Sequence, residues 1–208
     1  WVLLRAKVDG EWVWLDPSLN HAIFGYVPSA IQGNVGMRLG PVEKASELFV
    51  ELPVLPSQAD RRAIDLDLEL GADGSLRGTV EETYTGEGAI TFRRVLDSYT
   101  DRSELEQAIE QALAQTFPGV DIAELKFENA DDADAPLVMR YTVEAPDYAI
   151  AAGRGLRIDH LFFASELTAS YAQLPSRRMT LVLGGRVRID IAMKLTLPEA
   201  TTLSVLTG

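Results

Sequence analysis

The sequence predicts an α+β, β-rich fold: an antiparallel β-sandwich or curved sheet with one or two inserted helices. Three observations predict it. Apolar and charged residues alternate through Ile64–Leu70 and again through Val187–Leu197, the period of a strand with one wet face. A capped amphipathic segment at about 102 to 116 interrupts the strand-like runs. Strands that pair as hairpins around an inserted helix build sheets backed on one face.

The elements follow in order. Residues 2 to 8 and 11 to 15 are β-rich and are joined by Asp9-Gly10. Asp-Gly suits a two-residue hairpin turn because both central positions want φ > 0. Residues 8 and 11 then pair, and so do 3 and 16. From Pro17 to about Pro41 the chain reads as loop, with short strands near Val35–Leu39 and Glu47–Leu52. Pro53 to Arg62 carries two prolines and is the expected boundary between a unit of residues 1–55 and one of residues 60–208.

Past it, Ile64, Leu66, Leu68 and Leu70 alternate with Asp65, Asp67 and Glu69. Gly71 to Gly74 turns the chain, and Leu76 to Tyr84 returns as a second strand. Gly86 and Gly88 break that pattern, and Ala89, Phe92 and Leu96 predict a short helix after them. The helix at 102 to 116 has Asp101 as its cap and Glu104 to complete a capping box, with Pro118-Gly119 as its stop. Strands are expected at about 121 to 128 and 136 to 145, then the long final one.

The composition narrows the function. The chain has 208 residues, 47% hydrophobic and 24% charged, with net charge -12 and no cysteine. So acidic a surface repels phosphate, and no nucleic-acid partner is expected. No apolar run reaches the length of a membrane span, so no membrane insertion is expected. Without cysteine there are no disulfides and no thiol chemistry. The chain opens on Trp1 without a leader, which we read as a fragment of a larger protein.

The element Trp14-Leu15-Asp16-Pro17-Ser18 ends the N-terminal hairpin. It resembles the last catalytic segment of the transglutaminase-like superfamily, papain-like proteins with a Cys-His-Asp triad. Phe24-Gly25-Tyr26-Val27-Pro28 and Ile31-Gln32-Gly33 resemble a bacterial subgroup with flanking β domains. Asp73-Gly74-Ser75-Leu76-Arg77-Gly78, Tyr84-Thr85-Gly86 and Arg178–Leu183 resemble the C-terminal one. The resemblance implies an exported, periplasmic setting and assigns Asp16 as the triad acid. In such a triad the acid holds the base's imidazole in place.

Hairpin register puts Trp1, Leu3 and Asp16 on one face, so Trp1 stands where the family's His is expected. Either the parent protein lost its His, or a longer hairpin carries it upstream. Asp16 also reads as a plain turn opener. Three functions follow: a non-catalytic C-terminal region that binds a protein or peptide partner, part of an active cysteine enzyme, or a purely structural β module.

Other residues are weighed against chemistry. His21 and His160 lack ligand spacing, and no metal or cofactor is expected; His21 reads as a loop histidine in solvent. Glu128, Asp131, Asp132 and Asp134 suggest a calcium loop but lack its glycine and terminal Glu, so they read as a solvated loop. Gly153-Arg154-Gly155 is too short to cradle phosphate, and Ser165, Ser170 and Ser176 lack a nucleophile elbow. Arg177-Arg178 reads as a solvated edge. Trp1, Trp12 and Trp14 read as a hairpin packing its aromatics into a core rather than lining a groove.

Overall fold

A computed structural model describes residues 1–56, 59–114, 119–153, 155–158, 186–199 and 201. The chain opens as the expected hairpin, β1 (Leu4–Val8) and β2 (Glu11–Leu15), with Val8 opposite Glu11 and Leu4 opposite Leu15. Asp9 at φ 50° and Gly10 at φ 91° supply the left-handed turn. A second small hairpin follows, β3 (Val35–Met37) with β4 (Phe49–Glu51). Val27, Ile31 and Leu52 form a buried cluster between the two, with Leu3 and Trp14 packed on it.

The main body is a five-stranded sheet in the order β11-β5-β6-β8-β7. Its strands are β5 (Arg61–Leu70), β6 (Leu76–Tyr84), β7 (Asp121–Glu128), β8 (Leu137–Ala145) and β11 (Arg188–Thr196). The pair β9 (Ile150–Ala152) and β10 (Gly155–Arg157) forms a separate ribbon, whose turn holds Gly153. Between β6 and β7 run α1 (Gly86–Ser98) and α2 (Arg102–Ala114). Leucines of β5 and apolar residues of β6 and β8 share the inward face, where Phe92, Leu96 and Ile109 of the helices close the core. Asp65, Asp67 and Glu69 face water. Among the described residues this five-stranded sheet is the largest, with three two-stranded ribbons besides it and helix residues packed on its core face.

Four details differ from the sequence reading. The sheet is mixed, because β11 pairs with β5 in parallel, Ile191 opposite Ile64. In β11, Met193 and Leu195 pack on the core while Ile189 and Ile191, with Val187 just before the strand, are exposed. The core covers only one end of that strand. Helix α1 begins at Gly86 and contains both glycines. Gly86 has φ 58°, and a Cβ there would lie 2.1 Å from the carbonyl oxygen of Ala59, so glycine is demanded by tight packing. Asp101 caps α2 through the N–H (2.8 Å) and hydroxyl (2.8 Å) of Ser103 rather than through a box with Glu104. These bonds hold the Asp101 carboxyl below its ordinary range.

His160, Ser165, Ser170, Ser176, Arg177-Arg178, the Arg178–Leu183 run and Arg154 lie outside the described residues. Among the described residues, no helix is long and apolar enough to cross a membrane.

Candidate functional site

Asp16 ends β2 and is 9% exposed. Ser18 donates its backbone N–H (2.9 Å) and its hydroxyl (2.6 Å) to Asp16 Oδ1. This is the turn-opening role of an Asp before Pro. The other oxygen, Oδ2, is buried and has no hydrogen-bond partner among the described residues. A turn needs only one oxygen, so Oδ2 is a buried acceptor that the turn leaves unused. Leaving such a group bare costs about 1–3 kcal/mol.

Trp1, at the position expected for a His, is 73% exposed. Trp12 is exposed too, and only Trp14 packs on the small N-terminal core. The expectation of aromatics packed into a core therefore fails for two of the three tryptophans. Register explains it: Arg5, Lys7, Trp12 and Trp14 share one ribbon face, and Arg5 lies 4.6 Å from the Trp12 ring and 5.3 Å from the Trp14 ring. The cation covers the rings in place of apolar neighbours. On the opposite face Val2, Leu4 and Val8 are exposed.

The N-terminal segment is fixed to α1 by polar groups. Tyr26 donates its hydroxyl to Asp60 Oδ1 (2.8 Å), which also accepts the Glu87 N–H (2.8 Å) at the start of α1. Ser29 donates to Glu87 (2.5 Å). Burial, reinforced by the Asp60 carboxylate, pushes the Tyr26 hydroxyl far above its ordinary pKa. His21 does not stand free in solvent: its Nε2 lies 2.6 Å from Asp97 Oδ2 near the end of α1. A cavity of about 190 Å³ lies behind this joint, bordered by His21, Tyr26, Thr85, Arg93 and Asp134.

The acidic loop after β7 is organised by an arginine. Arg93, on α1, is 2% exposed. Its Nε and Nη2 donate to the carbonyl oxygens of Asn129, Ala130, Asp132 and Ala135 at 2.6–3.3 Å. The carbonyls that a calcium loop would turn on its ion are here turned on a guanidinium. Among the described residues, no group of three or more His, Asp or Glu is arranged to hold a metal.

Glu82 is a further buried charge, 1% exposed on the inward face of β6. Arg62 donates to Oε2 through Nε (2.8 Å) and Nη2 (2.5 Å), Tyr84 donates to it (2.5 Å), and Tyr141 donates to Oε1 (2.7 Å). Burial, with Glu82 adding to it, raises both tyrosine pKa values well above the ordinary one. Burial works against the Arg62 charge, yet Glu82 outweighs it and raises the Arg62 pKa. With both carboxylate oxygens bonded, this network reads as a structural strut. The wet sheet face forms an open groove of about 620 Å³, in which Arg140 pairs with Glu81 and Glu128, and Lys194 with Asp67.

Comparison with protein-family models, curated proteins and solved structures found no match. Sequence reasoning singled out Asp16 but missed Arg93, Asp97, Asp60 and Glu82. Two of these left a signal. Arg93 falls on the stripe of Ala89 and Leu96, and Glu82 on the inward positions of Val80 and Tyr84. A charge on an apolar face marks a buried partner.

Proposed function

We propose that this chain is the C-terminal region of a transglutaminase-like protein, with no nucleophile of its own. Residues 1–55 would complete a papain-like core, and residues 60–208 would form an accessory domain that binds a protein or peptide partner. The observation that carries the reading is Asp16: buried, fixed by Ser18 through one oxygen, and unbonded at the other. An acid so held suits the task of orienting an imidazole and stabilising its charged form. The exposed Val2, Leu4 and Val8 add support, because a two-stranded ribbon with a bare apolar face needs cover. For an extended partner, β11, the regular outer strand among the described residues, is better suited than β7, whose ladder is broken by a bulge between Ala123 and Lys126.

A second reading, an active cysteine enzyme assembled with an upstream Cys and His, is favoured by one observation. Trp1 points largely into solvent and does not bond Asp16 Oδ2, so that buried oxygen keeps an unused acceptor that an imidazole could take once the preceding core is packed against it. The two are separated in a longer chain carrying the preceding core. Labelling by a thiol-reactive probe and an amide-substrate burst, both lost about 10⁴-fold in Asp16→Asn, identify the active enzyme. No labelling and no burst leave the non-catalytic reading. If the preceding core shows no papain-like features, both readings fall.

A further inference from the structure

We propose that the Asp9-Gly10 turn is a site of spontaneous backbone modification, where Asp9 cyclises to a succinimide and reopens as isoaspartate, while the chain's other Asp-Gly pair, Asp73-Gly74, is held against the same reaction by its fold. The inference rests on the two turns alone and is independent of any papain-like core.

The reaction needs only water. The Gly10 nitrogen attacks Cγ of the protonated Asp9 side chain and forms a C–N bond. The side-chain hydroxyl leaves with the amide proton as water. Water then reopens the ring. Attack at the Asp9 backbone carbonyl carbon breaks its bond to the Gly10 nitrogen, and the chain now runs through the side-chain carbon. Attack at Cγ restores Asp9. One water leaves and one returns. Three conditions favour the first step: a nitrogen free to approach, a carboxyl free to turn, and a backbone free to move. Glycine after the Asp helps, because no side chain shields its nitrogen.

Asp9-Gly10 meets all three. Both residues are exposed. Among the described residues the Gly10 N–H donates to no carbonyl, and the Asp9 carboxylate accepts no hydrogen bond. A Cβ on Gly10 would meet nothing within 4 Å. The turn closes a ribbon of only two strands, which is weakly held by itself.

Asp73-Gly74 meets none. Asp73 Oδ1 accepts the Ser75 N–H (3.0 Å) and hydroxyl (2.6 Å). These bonds hold the carboxyl below its ordinary range, in the ionised form from which no hydroxyl can leave. The Gly74 N–H donates to the Gly71 carbonyl (3.1 Å), and the Gly74 carbonyl accepts from the Ala149 N–H (2.9 Å). Gly74 is buried, and a Cβ there would lie 2.2 Å from the Ala149 carbonyl oxygen. The turn joins β5 and β6 inside the five-stranded sheet.

Conversion at Asp9 adds a backbone atom to a two-residue turn. That turn no longer matches the pairing of Val8 with Glu11, so the ribbon that ends in Asp16 loses its register.

The test incubates the chain for weeks in mildly acidic heavy-oxygen water. Each passage through the imide labels the peptide with one solvent oxygen, and mass spectrometry reads both sites in one sample. Three bonds guard Asp73, and breaking each slows attack by about two- to ten-fold. Asp9 should therefore gain label at least about ten-fold faster than Asp73. In concentrated urea neither turn persists, and the two sites should convert at comparable rates. Ser75→Ala removes one guarding bond at the surface and should speed Asp73 about two-fold or more. The converted fraction should exchange its β1 and β2 amides faster than the parent does. The proposal is overturned if Asp73 gains label as fast as Asp9 in the folded chain, or if their difference persists in urea. It is equally overturned if Ser75→Ala leaves Asp73 unchanged, or if the converted ribbon exchanges as the parent's does.

Discussion

Arg93→Met tests whether a buried guanidinium, rather than the loop's own sequence, holds residues 129–136 in place. Methionine keeps the apolar stem and removes every donor. Four carbonyls then lose the guanidinium. Asn129 and Asp132 keep a backbone donor each, from Asp132 (3.3 Å) and Ala135 (3.4 Å). Ala130 and Ala135 keep none among the described residues. At about 1–2 kcal/mol for each acceptor left bare, the loss is about 2–4 kcal/mol. For a chain of this size, 3 kcal/mol corresponds to a fall in Tm of about 6–12 °C. Urea unfolding gives the free energy, and amide exchange over 129–136 gives the local effect. Arg93→Lys, which keeps the charge but not the fork, should lose about half as much. A methionine variant within about 0.5 kcal/mol of the parent, with unchanged exchange in the loop, would refute the reasoning.

Three further outcomes follow from the same geometry. Tyr141→Phe removes the donor to Glu82 Oε1 and should cost about 1–2 kcal/mol by urea unfolding, with the sheet's circular dichroism unchanged. Gly86→Ala, which sets a Cβ against Ala59 at a positive φ, should cost about 2–4 kcal/mol and loosen the N-terminal segment, read as faster exchange at Tyr26 and Ser29. Of the 6 tyrosines, Tyr26, Tyr84 and Tyr141 have raised pKa values and should not ionise in a 295 nm titration until the chain unfolds. A raised folded pKa means that the unfolded chain loses these protons first. Stability is therefore intact below about pH 10 and falls above it. Phenylalanine at any of the three should flatten that fall, and an unchanged slope would count against their burial.

Much of the fold was legible because its signals are local. Asp9-Gly10 set the hairpin register to the residue, and the leucine-aspartate alternation gave β5 and its wet face. What failed was non-local. Parallel pairing of β11 with β5 leaves no mark on either strand's own alternation, since both orientations share a period of two. The glycines at 86 and 88 read as breakers because helix propensity is weak against packing, and Asp60 supplies the cap from far along the chain. The acidic loop read as a solvated run or a metal loop because its cation sits on α1, 36 residues from Asn129.

The candidate site divides in the same way. Asp16 was legible from Trp-Leu-Asp-Pro-Ser and from register arithmetic. Its unbonded Oδ2 was not, because burial of one oxygen depends on what the rest of the chain packs around it. His21 read as a solvent residue until Asp97, 76 residues away, was brought against it.

The sequence by itself determined the strands, the turns, the two helices, the acidic surface and the absence of a thiol. These rest on backbone preference and on periods of two and 3.6, which act over a few residues. Only the tertiary structure decided which charges are buried and whom they meet: Arg93 with four carbonyls, Glu82 with Arg62 and two tyrosines, Asp60 with Tyr26. The physical reason is that desolvating a charge is costly enough to demand a specific partner, and that partner is chosen by packing in space rather than by position along the chain.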